Sequence, residues 1–176
     1  MAPSAPRGSI VTAPEVHTAK ALLKKGRSSE AIRILQQAEA RNPRDPTVLL
    51  ELAAIYSFLG QPAKAVEYER RATKVDATLP EVWNALGSDL HRTGDLVSSA
   101  VAYRRALELD PRLASAAYNL ARVAAAKGER KEAAEALKRA IALKPELAEE
   151  AGREEALAKL LDEPEFRKRA DPRRRS

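Results

Sequence analysis

The chain has 176 residues, of which 44% are hydrophobic, 32% charged and 4% aromatic, and it has no cysteine, which excludes disulfides, thiol catalysis and cysteine-bound zinc together. No apolar run approaches the roughly 18 residues of a membrane span, and the first eleven residues lack the apolar stretch of a signal peptide. The net charge of +6 is uneven: residues 146–166 carry two basic and eight acidic side chains, residues 167–176 six basic and one acidic. A cytoplasmic location is the expectation, with the periplasm as the alternative if a signal has been removed.

In chain order, residues 1–11 read as a flexible N-terminal segment. Residues 12–45, 46–79, 80–113 and 114–147 then form four copies of one 34-residue unit, in register without insertion or deletion. Gly26, Gly60, Gly94 and Gly128 share a column, as do Ala38, Ala72, Ala106 and Ala140. Position 8 of the copy is Ala19, Ala53, Gly87 and Ala121; position 20 is Ala31, Ala65, Ser99 and Ala133; position 32 is Pro43, Ala77, Pro111 and Pro145. Each copy predicts two helices. Positions 4, 7, 8 and 11 make an apolar stripe on the first, shown in the third copy by Trp83, Leu86, Gly87 and Leu90. The glycine column ends that helix in the left-handed conformation. Ser28 or Ser29, Pro62 and Asp95 start the second helix. The small residues at positions 8 and 20 let the two helices cross closely, and the proline column ends the second helix. Thr12-Ala13-Pro14-Glu15 and Thr78-Leu79-Pro80-Glu81 read as capping boxes. A capping helix is expected over residues 148–163, with Leu157, Leu160 and Leu161 facing the fourth copy, followed by a basic, disordered tail over residues 164–176.

The third copy, with Trp83-Asn84-Ala85-Leu86-Gly87, Gly94-Asp95, Tyr103 and Ala106-Leu107-Glu108-Leu109-Asp110-Pro111, resembles the tetratricopeptide repeat (TPR) family residue by residue. The resemblance covers 136 of the 176 residues. It implies an all-α fold, an α-solenoid built as a right-handed superhelix of antiparallel helix pairs. Departures are the polar first copy, with Glu15 and Thr18 in its stripe, Glu69 in an aromatic column, Ala77 in the proline column, and Asp89 in a small or apolar column. A functional or assembly contact is one reading of Asp89.

Catalysis finds no support in the residues. His17 and His91 stand apart without a neighbouring ligand and read as surface histidines, no serine sits beside a histidine and carboxylate, and the glycines are spaced rather than clustered around a phosphate. No enzyme, cofactor or metal is expected. The family resemblance implies instead that first-helix positions line a concave groove holding a segment of another protein. Carried over position by position, the partner-binding face comprises Lys20, Leu50, Phe58, Asn84, Ser88, His91, Arg92, Tyr118, Asn119 and Arg122. Asparagine amides suit a ligand backbone and guanidinium forks suit carboxylates. The family's carboxylate clamp is absent, since Val16, Lys20 and Glu51 occupy its positions. The expected role is a non-catalytic adaptor or scaffold for a protein or peptide partner within a multiprotein assembly. The alternatives are a self-assembling homo-oligomeric subunit, or capture of an anionic partner, nucleic acid or a membrane surface, by Arg167, Lys168, Arg169, Arg173, Arg174 and Arg175. Nucleic acid is disfavoured because no aromatic residue follows Phe166 to stack on bases.

Overall fold

The computed structural model describes residues 14–162, so the N-terminal segment, the Thr12 capping box and the basic tail lie outside the described residues. These residues form α1 (Pro14–Lys24), α2 (Ser28–Arg41), α3 (Pro46–Phe58), α4 (Pro62–Val75), α5 (Pro80–Arg92), α6 (Leu96–Leu109), α7 (Ala114–Ala126), α8 (Arg130–Leu143), α9 (Leu147–Gly152) and α10 (Glu155–Leu161). There is no strand among the described residues. The fold is all-α, of the α-solenoid class. Contacts divide it into two compact units at Ala77/Thr78, with α1–α4 in the first and α5–α10 in the second.

Within each unit, consecutive helices pair across a tight turn: α1 with α2, α3 with α4, α5 with α6 and α7 with α8. The turn is the same each time. The glycine column holds φ of +72, +71, +85 and +77°, a region that costs a residue with a Cβ. The N–H after each glycine reaches the carbonyl five residues back: Arg27 to Leu22, Gln61 to Tyr56, Asp95 to Leu90 and Glu129 to Ala124. That closure places the next helix's cap directly after the glycine. Arg27 therefore holds the cap position of α2, and Ser28 and Ser29, expected to cap the helix or to open its first turn, fall within the first turn. Pro62 opens α4, and Asp95 caps α6 by accepting from the Ser98 N–H at 3.0 Å. Leu79 stands at the cap position of α5 and its own side chain makes no cap hydrogen bond. A cap the pattern did not reveal is Asp45, which accepts from the N–H groups of Thr47 and Val48 at 2.9 and 3.3 Å.

The small columns are buried in every copy. At the third they touch directly: the Ser99 hydroxyl donates to the Gly87 carbonyl at 2.6 Å. A Cβ on Gly87 would stand 2.7–2.9 Å from the ring of Tyr103, so this crossing has room only for glycine. The column that includes Tyr103 reads Leu35, Glu69, Tyr103 and Leu137, all buried. Neighbouring copies are also tied by polar contacts within each unit. Arg71 donates to the Pro43 carbonyl in the first and Arg139 to the Pro111 carbonyl in the second, one position of the repeat reaching back to the preceding turn. Arg104 forks onto Glu132 with both bonds at 2.7 Å.

The expected capping helix over 148–163 is two short helices, α9 and α10; residue 163 lies outside the described residues. Gly152 weakens the helix at the break, and Glu154 is extended, with φ −100° and ψ 113°. Ala151, Leu157 and Leu160 are buried in the second unit's core, so the cap is seated on both sides of the interruption.

Candidate functional site

Seven of the ten expected binding residues fall in the second unit. Asn84, Ser88, His91 and Arg92 lie on α5, and Tyr118, Asn119 and Arg122 on α7, the helix that packs beside it. Helical spacing explains their gathering: 84, 88, 91 and 92 share one side of α5, as 118, 119 and 122 share one side of α7. The floor beneath them is the buried Tyr103. Burial pushes its phenol up to about 12, against the opposing pull of the nearby Ser88 and Ser99 hydroxyls and of the Arg122 charge.

The polar groups above this floor are unequally engaged. Asp89 is buried and receives Arg92 Nη1 at 2.8 Å, which gives the carboxylate in the apolar column a structural partner and commits Arg92, expected to face a ligand, to its own helix. His91, expected as a surface histidine, is only partly exposed. Burial and the Arg122 charge hold its imidazole below the usual histidine range, with Glu154 pulling the other way. Asn84 Oδ1 is buried without a hydrogen-bond partner. Asn119 is half-buried.

Tyr118 and Arg122 differ most from the expectation. Tyr118 is only 5% exposed rather than open to a ligand, and its hydroxyl donates to Glu154 Oε1 at 2.8 Å. Arg122 Nε donates to Glu154 Oε2 at 2.7 Å. One carboxylate thus bridges two groove positions, its two oxygens taken by a phenol and a guanidinium. Burial, then the bond to Glu154, raises the Tyr118 phenol above its ordinary value. Burial works against the Arg122 charge, but the bond and charge of Glu154 outweigh it and keep the guanidinium protonated. Glu154 is not among the residues that the repeat positions place in the groove. Its signal in the sequence is Gly152 interrupting an acidic helix, a break that frees the next residues to turn inward.

The other three expected residues belong to the first unit. Lys20 on α1 pairs with Glu51 on α3 at 3.2 Å, Leu50 is half-buried, and Phe58 ends α3 with 83% of its surface exposed. The six basic residues of the tail lie outside the described residues. Among the described residues, no three of His, Asp and Glu converge where they could hold a metal ion, and no helix is long and apolar enough to cross a membrane.

Tetratricopeptide repeat family matches cover residues 22–88 and 84–148, together most of the chain. The chain belongs to the tetratricopeptide repeat family. This TPR chain is 30% identical over 81 residues to small glutamine-rich tetratricopeptide repeat-containing protein 2 of Mycosarcoma maydis, covering 46% of this chain and 23% of that one. It spans a quarter or less of the length of the curated relatives it matches. Its structure is similar to the crystal structure of MamA, with TM-score 0.77 and 25% identity over 85% of this chain and 86% of that one. YrrB, described as a TPR protein with an unusual peptide-binding site, matches with TM-score 0.73 and 16% identity over 87% of this chain and 84% of that one, a likeness of fold alone.

Proposed function

We propose that this TPR protein is a non-catalytic adaptor whose α5–α7 face binds an extended or helical segment of a partner protein. The observation that carries the reading is Asn84, whose side-chain carbonyl is buried without a hydrogen-bond partner on the face that also holds Asn119 and Arg122. Buried polar atoms are almost always satisfied, and a peptide N–H laid along α5 would satisfy this one. Membership of a family of protein-interaction repeats supports the reading, as does a peptide-binding site on the similarly folded YrrB.

The test is capture of partner proteins from host lysate by the full chain and by a variant carrying Asn119→Ala and Arg122→Ala. Both positions are partly solvent-facing, so the variant is expected to keep its circular dichroism and nearly its melting temperature while losing the captured partner. Capture that survives this pair but disappears on deletion of residues 167–176 would move the binding function to the basic tail.

A further inference from the structure

We propose that Tyr118 and Arg122 form a receptor for an acidic side chain of the partner segment, and that Glu154 occupies it in the free protein as a competing internal ligand. This rests on the α5–α7 face being the binding surface, and it adds the chemistry of the partner and a built-in restraint on its entry.

Three features support it. Tyr118 and Arg122 are first-helix residues of the fourth copy, at positions that face outward from the helix pair, yet both are turned onto a single carboxylate at 2.8 and 2.7 Å. A phenol and a guanidinium that converge on one carboxylate form a site of defined charge and shape. The carboxylate they hold comes from the one residue of the cap that leaves helical conformation: Glu154 is extended between α9 and α10, and it caps no N–H of α10 through its side chain. Its side chain is therefore not required to start α10, and the seating of the cap rests on Ala151, Leu157 and Leu160. The pair is also weakly held: the Arg122 and Glu154 side chains are 39% and 34% exposed, so water and a competing carboxylate can reach it. Glu154 can rotate outward while the cap stays in place.

The surrounding charges sharpen the preference. Arg92 is engaged by Asp89 on its own helix and His91 is held towards its neutral form, whereas Arg122 is paired to a carboxylate of the cap. The Tyr118 hydroxyl and Arg122 Nε both donate to Glu154, so a ligand carboxylate takes the same donors by displacing it.

The probe is a fluorescent oligoglutamate peptide, acetylated and amidated so that only side-chain carboxylates are present, titrated with the full chain. Glu154→Gln is expected to bind it about fivefold tighter than the natural sequence, the scale set by an exposed ion pair acting as internal competitor. An oligoglutamine peptide should show no such gain, and adding Tyr118→Phe and Arg122→Gln to the Glu154→Gln chain should abolish it. Equal affinity with and without Glu154 overturns the proposal. So does a gain that persists without Arg122, which would assign binding to basic side chains elsewhere. A gain confined to a glutamine peptide with a free C-terminus overturns the assignment to acidic side chains. Should Glu154→Gln fail to fold, the natural chain carries the test: the Arg122 Nε–H resonance should shift as oligoglutamate is added, and its constancy overturns the proposal. In the lysate experiment, partner capture lost with Asn119→Ala and Arg122→Ala but unchanged by Glu154→Gln leaves the binding face standing and removes the competitor. Capture indifferent to all three substitutions removes the face itself.

Discussion

Residues 14–77 and 78–162 each contain two copies of the same 34-residue plan, with the same glycine turn and the same small residues where helices cross. In the first unit the outward positions of the first helices hold an exposed Lys20–Glu51 pair, a half-buried Leu50 and an exposed Phe58. In the second they sit over a buried phenol, include an unsatisfied Asn84 carbonyl, and end at a carboxylate supplied by the cap. Columns that make the helix pair admit few residue types, because each side chain there meets another at van der Waals distance. Outward positions carry no such constraint, so two units of one architecture differ in what they offer a partner.

The largest expected effect tests the buried phenol. With its folded pKa raised from 10.0 to about 12, Tyr103 holds its proton more tightly in the folded chain than in the unfolded one. Its contribution is complete below pH 10 and is lost as pH rises towards 12, and at about 1.4 kcal/mol for each pH unit between those values it amounts to about 2–3 kcal/mol. Denaturant unfolding across that range should show the loss, and Tyr103→Phe should remove its own share of the slope, leaving the part that belongs to the other raised phenols, Tyr118 and Tyr68. Protection from hydrogen exchange should fall first in residues 78–162; loss appearing first in residues 14–77 would contradict the assignment.

A smaller effect contrasts one column in the two units. Gly87→Ala gains about 1 kcal/mol of helix propensity but drives a methyl into a buried ring at 2.7 Å. Overpacking of that kind costs about 1–3 kcal/mol, so a net loss of about 1 kcal/mol is expected. Tyr103→Leu, which copies the fourth repeat's Leu137, should relieve the clash in a double-mutant cycle. Ala53→Gly, the reverse change in the first unit, should also destabilise, by about 1 kcal/mol, because nothing comparable to Tyr103 occupies its column and only propensity and packing are lost. If Gly87→Ala stabilises the chain, the close approach of Tyr103 does not govern this crossing.

The smallest effect is on the first unit's outward face. Lys20 is 56% exposed in its pair with Glu51, and Lys20→Ala should change the unfolding free energy by no more than about 0.5 kcal/mol in thermal or denaturant unfolding. A larger loss would show that the pair holds α1 to α3 and that the two outward faces differ less than their side chains suggest.

Much of the helix plan is legible in the residues because its signals are local or periodic. Only glycine accepts the positive φ of the turn without strain, so its column marks where each first helix ends. The pattern leaves Ser28 and Ser29 open between the cap and the first turn of α2, because a cap depends on where the preceding turn closes; the Arg27 bond to Leu22 sets that closure and puts both serines in the first turn. Within the second unit, seven of the positions expected in the groove fall on the neighbouring first helices α5 and α7. Arg92 and Tyr118 are legible as outward positions but not as occupied ones.

The 34-residue register by itself determined that the chain builds helix pairs, where their turns fall and which positions must be small, since each of these follows from backbone conformation and close helix contact. Only the tertiary structure decided that Tyr103 lies beneath Gly87, that Asp89 is satisfied by Arg92, and that the cap breaks at Glu154. It alone brought Glu154 onto Tyr118 and Arg122, across 36 and 32 residues of chain. A meeting of that kind depends on where a broken helix turns back over the repeat it covers, and a pattern of side-chain types with a period of 34 carries no record of that turn.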